Sequence, residues 1–488
     1  MLLCLVAPAH AGDLAGDAGL KDPIPDNLTW KGVTVYGTVD VGYAYQTHGV
    51  SLSGDANTGL EYNINGSKNA NGAISSLSDG ALEQSKIGVK IEETIGYGWV
   101  AVGKLEAAFN PVSGELANAC ASLVRNNGKA LTAQDTNYDG SRCGQAFSGP
   151  AFGGVSNPFF GTLTVGRQQS LELDAIGEYD PMGLSYAFSL IGYSGGSAAG
   201  IGNTETSRWD NSIKYVYQYG PVHAAAMYSD GGEDTAMFGG GYGFNLGGAW
   251  RGFAIDAIYT REKGAVSSAS LTSAQIAAGA DPNSLAGTIT DDEAWSVMGR
   301  YTFDFTGGLK DEGPGAKLTF FAGYVHMDLA NPQSPVLAGS ATIGGYVLSV
   351  INDQPYAIGS DKILQTAWAG ARYDLPSGWS FTGAYYHLGQ DAYVAYAKNS
   401  GQVLVNQNCA AMTATNVANK VAGKFAGITT GSNCSGDLNQ GSFLVDYQFN
   451  KHFDVYAGVS YSAVGDGLSS GSLNDNMTIF MTGARLKF

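Results

Sequence analysis

Apolar and polar residues alternate one by one along much of the chain. In VTVYGTVDVGYAYQ (33–46), Val33, Val35, Val39, Val41, Tyr43 and Tyr45 share one face; Thr34, Thr38, Asp40 and Gln46 share the other. In WSVMGRYTFDF (295–305), Trp295, Val297, Tyr301, Phe303 and Phe305 oppose Ser296, Arg300, Thr302 and Asp304. FLVDYQF (443–449) and HFDVYAGVSYS (452–462) repeat the pattern. A period of two marks β-strands with one apolar face. Tight turns punctuate them at IGYG (95–98), SNP (156–158), YGP (219–221), LGG (246–248), LPSG (375–378) and NK (450–451). Long polar stretches lie between, at 47–81, 111–141, 169–206, 262–292, 328–361 and 390–439. The pattern predicts an all-β transmembrane antiparallel barrel of about 16 strands, with short turns at the periplasmic end and long loops at the external end.

Aromatic residues sharpen this picture. Trp99, Phe109, Trp250, Phe253, Tyr259, Trp295, Phe305, Phe320, Tyr385, Phe443, Phe449, Phe453 and Tyr461 fall near the ends of apolar faces, where rings suit the headgroup level. The last strand ends on Phe488, with Phe480, Thr482, Ala484 and Leu486 on one face and Arg485 and Lys487 on the other. It must pair with the first strand near 33–46, because unpaired backbone in lipid costs several kcal/mol per group.

Composition agrees: only 14% of the 488 residues are charged, while Gly reaches 70 and Tyr 27. No run approaches the roughly 18–20 apolar residues of a membrane helix. A net charge of −17 argues against nucleic acid as a partner, though not against a basic patch inside a cavity. MLLCLVAPAHA (1–11) reads as a signal peptide without its basic leader, leaving 12–488 as one barrel domain. Four cysteines remain in two local pairs, Cys120/Cys143 and Cys409/Cys434, which predicts disulfides in an oxidising compartment. With no CxxC and six scattered histidines, no metal or cofactor is expected.

One stretch breaks the alternation. FGTLTVGRQQSLELDAIGEYDPMG (160–183) begins as a strand and runs into Glu172, Asp174, Glu178 and Asp180. Elsewhere, Lys86 and Lys90 alternate with Ile87, Val89 and Ile91, and Lys104 and Glu106 oppose Leu105, Ala107 and Phe109. A charge facing lipid at mid-bilayer costs roughly 2–4 kcal/mol, so these side chains should line water.

Several segments resemble the trimeric general porins of Gram-negative outer membranes. VYGTVDVGYAY looks like that family's opening strand, SKIGVKIEETIGYGWVAVGKLEAAF (85–109) like its second and third, FFGTLTVGRQ (159–168) like its fifth and RWDNSIKYV (208–216) like the next. The C-terminal Phe488 is similar to the family's assembly signature. The resemblance implies a homotrimer in the outer membrane, in contact with lipid bilayer and lipopolysaccharide, through which small hydrophilic solutes and ions diffuse passively without catalysis. It also implies that the loop at about 169–206 folds into the barrel. Arg167 then opens and tethers the loop, and Glu172, Asp174, Glu178 and Asp180 form an acidic side. Lys86, Lys90, Arg142 and Arg208 form the basic side. Gly144 stands where the family has an arginine, and Leu184 where it has a second tip carboxylate.

Three other motifs weigh less. GYSGG (192–196) matches the hydrolase pattern around Ser194 but lacks its strand–turn–helix context. DTNYDG (135–140) imitates half a calcium loop, with Ala146 where a glutamate is needed. GGGYGFNLGG (239–248) has no following Lys-Ser/Thr. The alternative functions are a substrate-specific channel, or a barrel enzyme or adhesin working through its long external loops.

Overall fold

The computed structural model describes residues 28–53, 72–130, 133–134, 143–191, 207–231, 240–305, 315–333, 342–397, 402–404, 435–469 and 473–488. The signal segment 1–11, Arg142, Ser194, Asp135–Asp139, Cys409 and Cys434 lie outside them.

Alternation of side chains turns each strand into a wall element with an oily outside, and sixteen such strands follow one another. They are β1 (Val33–Gln46), β2 (Lys86–Gly96), β3 (Trp99–Ala108), β4 (Ala151–Asn157), β5 (Gly161–Gln169), β6 (Arg208–Tyr219), β7 (Val222–Ser229) and β8 (Gly241–Trp250). Then come β9 (Phe253–Ala269), β10 (Leu285–Asp304), β11 (Lys317–Ala330), β12 (Lys362–Asp374), β13 (Trp379–Gln390), β14 (Gly436–Gln448), β15 (Phe453–Asp466) and β16 (Asn476–Lys487). Each pairs antiparallel with the next, and β16 returns to β1, with Thr38 opposite Lys487 and Gln46 opposite Ile479. Closure leaves the sheet without a free edge, as lipid requires.

The outward residues are large and apolar. Trp250, Phe305, Phe320, Tyr385, Phe443, Phe449 and Tyr461 are exposed on the outer face, and Trp99, Phe109, Tyr259 and Phe453 are half-buried. Trp99 stacks on Phe160, ring centroids 5.8 Å apart, beside a short turn.

Two connections differ from the sequence expectation. β8 runs straight through Leu246–Gly248 and turns instead at Arg251 and Gly252, whose φ values are 49° and 83°. Gly247 serves close approach: a Cβ there would lie 2.1 Å from Asp256 Oδ1. The stretch 262–292 is mostly strand, because β9 and β10 continue to Ala269 and from Leu285, leaving a short helix (α3, Ser273–Ala277) between them.

The second wall strand is broken. Ile74–Asp79 pairs with the upper half of β1, from Gln46 to Val41, and β2 pairs with the lower half, from Thr38 to Val33. Residues 80–85 leave the ladder between them, and Asp40 takes over their backbone donors. Its Oδ2 accepts from Leu82 N (3.1 Å) and Glu83 N (3.0 Å), and its Oδ1 accepts from Tyr456 Oη of β15 at 2.7 Å. Gly80 is required beside it, since a Cβ would sit 2.0 Å from Asp40 Cγ. Asp40 is fully buried. Asp40→Ala should therefore lower folded-barrel stability by about 1.5–3 kcal/mol, the worth of a hydrogen bond to a charged group, read as a lower transition temperature on unheated electrophoresis.

Candidate functional site

Between β5 and β6 the chain turns inward. Ser170 caps helix α2 (Leu171–Tyr179) by accepting from Leu173 N at 3.2 Å, and Glu172 and Asp174 in the first turn suit the helix dipole. Asp180 ends the helix and accepts from Met182 N (3.3 Å) and Leu184 N (2.6 Å). That pair of bonds holds Leu184 in the left-handed region, at φ 62°. The tip of the turn is thus shaped by a carboxylate acting on backbone.

The segment lies against an apolar lumen wall. Ile176, Tyr186 and Phe188 are buried against Met298, Trp368, Tyr386 and Leu438, whose side chains face inward. Polar bonds stitch it down. Trp368 Nε1 donates to Tyr179 O (2.9 Å), Gln440 Nε2 to Phe188 O (2.9 Å) and Ser460 Oγ to Ala187 O (3.1 Å). Tyr386 Oη donates to Asp180, and Tyr179 Oη to Asp256, which also binds His223 Nε2 (2.7 Å) and Asn245 Nδ2 (2.6 Å). On the far side, Ser185 Oγ donates to Ala81 O at 2.7 Å, so the segment meets the inward fold at 80–85.

Each predicted acidic residue has a separate fate. Asp174 pairs with Lys214 of β6 at 2.6 Å, and Glu178 with Arg300 of β10 at 3.1 Å. Asp180 is spent on the turn and Tyr386. Glu172 is buried, and its Oε1 has no hydrogen-bond partner among the described residues.

The predicted basic residues meet other acids. Lys86 pairs with Glu83 at 2.6 Å, Lys90 with Glu92 at 2.9 Å and Lys104 with Glu106 at 3.4 Å. Glu106 also accepts from Tyr36 Oη at 2.9 Å, and Lys86, Lys104 and Arg208 all act on it electrostatically. Arg208 is buried at the start of β6. Arg485 of β16 bridges Glu83 (3.4 Å) and Asp454 (3.2 Å), joining this cluster to the closing strand. Among the described residues Lys86 is thus held by Glu83 and Glu106 rather than by an acid of the loop. Arg167 holds Asp210 at 2.6 Å and donates to Ser148 O at 3.2 Å, fastening the chain where it leaves the wall to where it returns. The pair Cys120–Cys143 is a disulfide.

Glu83, Asp454 and Arg485 are the members of this cluster that sequence reading passes over. Arg485 was legible through its parity opposite Leu486, whereas Glu83 acts only because the second strand breaks beside it.

Comparison with known proteins places the architecture. The sequence matches the family model of Gram-negative porins over residues 1–310. The chain belongs to that family. As a family member it is an outer-membrane channel barrel. It is 27% identical over 183 residues to the outer membrane porin protein of Bordetella pertussis, a match spanning 38% of each chain. Among solved structures it is similar to the anion-selective porin from Comamonas acidovorans (TM-score 0.54, 14% identity, 93% of this chain and 99% of that one). It is also similar to OmpT, an outer membrane protein of Vibrio cholerae (TM-score 0.51, 15% identity, 95% and 100%). These two likenesses concern the fold.

Burial pushes the Glu172 carboxyl up from 4.5 to about 7. A raised folded value means that stabilisation is present at low pH and is lost as pH climbs from about 4.5 through about 7. Amide-exchange protection of α2 should fall over that window, and Glu172→Gln should flatten the dependence.

Proposed function

We propose that this porin lets small hydrophilic solutes and ions diffuse passively, and that the charge its solutes meet is set mainly by the lumen wall of β1–β3 and β16. The supporting observation is the division of the interior. On one side an apolar wall is covered by the segment 170–191; on the other, Lys86, Lys104, Glu83, Glu106 and Arg485 interlock as a charged surface. Charges that turn away from lipid in a closed barrel line water. Asp174, Glu178 and Asp180 act in this reading chiefly as braces that hold the segment narrow. Lys90 and Arg208 extend the basic side. No covalent chemistry is needed, and the channel does not act as an enzyme.

The barrel is proposed to work as a homotrimer set among lipid and lipopolysaccharide. One OmpT structure of similar fold is described as a trimer form (TM-score 0.50, 15% identity).

Purified protein in planar bilayers should show ohmic conductance that is stable with voltage. A folded barrel that passes no current would overturn the reading. Lys86→Gln combined with Lys104→Gln should move the reversal potential in a salt gradient toward cations. Lys214→Ala combined with Arg300→Ala should instead raise current noise while shifting selectivity less.

A further inference from the structure

The external connection between β3 and β4 does not stay above its own strands. It carries α1 (Ala119–Arg125), capped by Asn118, whose Oδ1 accepts from Ala121 N at 3.0 Å. This helix docks on the projecting ends of β9 and β10, six strands further round the wall of sixteen. Asn127 Nδ2 donates to Pro282 O and Ser284 O, each at 2.7 Å, while its Oδ1 accepts from Leu271 N at 2.7 Å. Ser270 Oγ donates to Leu123 O at 2.7 Å.

A third connection completes the unit. Tyr346–Asn352, from the loop between β11 and β12, pairs parallel with β10 at Leu285–Thr288, above the point where β11 ends. Asn118 Nδ2 donates to Tyr346 Oη at 3.0 Å. Leu123, Cys120, Cys143, Leu285, Ile289 and Leu348 are buried together in a core separate from that of the lumen. Gly344 packs on the backbone of Cys143, since a Cβ there would lie 1.9 Å from Cys143 O. Loops from three sectors of the rim thus share one hydrophobic core and one added strand, and a covalent crosslink inside the first loop holds both its cysteines in that core. A core of this kind holds its elements in fixed positions, unlike isolated surface loops.

We infer that this three-loop unit is an entrance sieve, a specificity element that screens solutes by size before they reach the inward segment, and that Cys120–Cys143 keeps it closed. The inference rests on the channel reading above. An arm fixed at both sides of the rim narrows the mouth, and solutes larger than the gap beside it are rejected there. The disulfide closes a loop of 23 residues and limits how far the helix can swing from the wall.

The test uses full-length protein in liposomes, with swelling rates measured for a series of uncharged saccharides of increasing size. Wild type is compared with Cys120→Ala/Cys143→Ala, with Asn127→Ala, and with folded wild type treated with dithiothreitol until peptide mapping finds both Cys120 and Cys143 alkylated. Loosening the unit should leave monosaccharide entry unchanged and raise entry of the larger saccharides severalfold. The reduced wild type keeps the test valid if a variant fails to fold. A conducting channel whose size profile is the same in all four samples overturns the sieve and leaves the channel reading standing. A barrel that admits no solute in any state overturns the channel reading, and the sieve with it.

Discussion

Everything in this molecule follows from the cost of leaving a backbone amide or carbonyl unpaired in lipid. Sixteen strands satisfy that demand only by closing, and the register of β16 on β1 is where closure occurs. Once the wall is complete, the outer side chains must be apolar and the inner ones are free to vary. That freedom is what the protein uses to build an interior.

The interior is built from two different materials. Met298, Trp368 and Leu438 turn inward and give the segment 170–191 an apolar bed. Burying residues such as Phe188 and Ile176 there stabilises by about 1.5–3 kcal/mol each, more than an exposed ion pair contributes. Polar contacts then fix the position of a segment that packing already retains. Opposite it, acids and bases stand close together, with Glu106 among Lys86, Lys104 and Arg208. A strong transverse field needs opposed charges separated by water, and here most charges find partners on their own side.

The wall was legible in the sequence because period-two alternation has no other economical reading over so many segments. The aromatic positions and the closing strand could be read in the same way, whereas the inward turn after Gly166 and Arg167 was legible only through the resemblance to porins. The interior was harder, because alternation reports a side chain's face and not its neighbour. Asp174 and Glu178 were visible as loop acids, but their partners Lys214 and Arg300 sit 40 and 122 residues away. Leu246–Gly248 looked like a turn because glycine serves both turns and close packing, and only the nearness of Asp256 separates the two uses. The break in the second strand left no compositional mark, so Glu83 could not be assigned.

Asp40 ties that break to the rest of the barrel. Its partners come from Leu82 and Glu83 nearby in sequence and from Tyr456, 416 residues further along. One carboxylate therefore joins the first strand to the last but one, and to the chain that bends into the lumen between them. A sheet still open at its seam has Asp40 but not Tyr456 beside it, and the bend at 80–85 lacks part of its support. The width of the passage is in this sense a report on assembly: the lumen takes its final outline only in a molecule whose two ends have met.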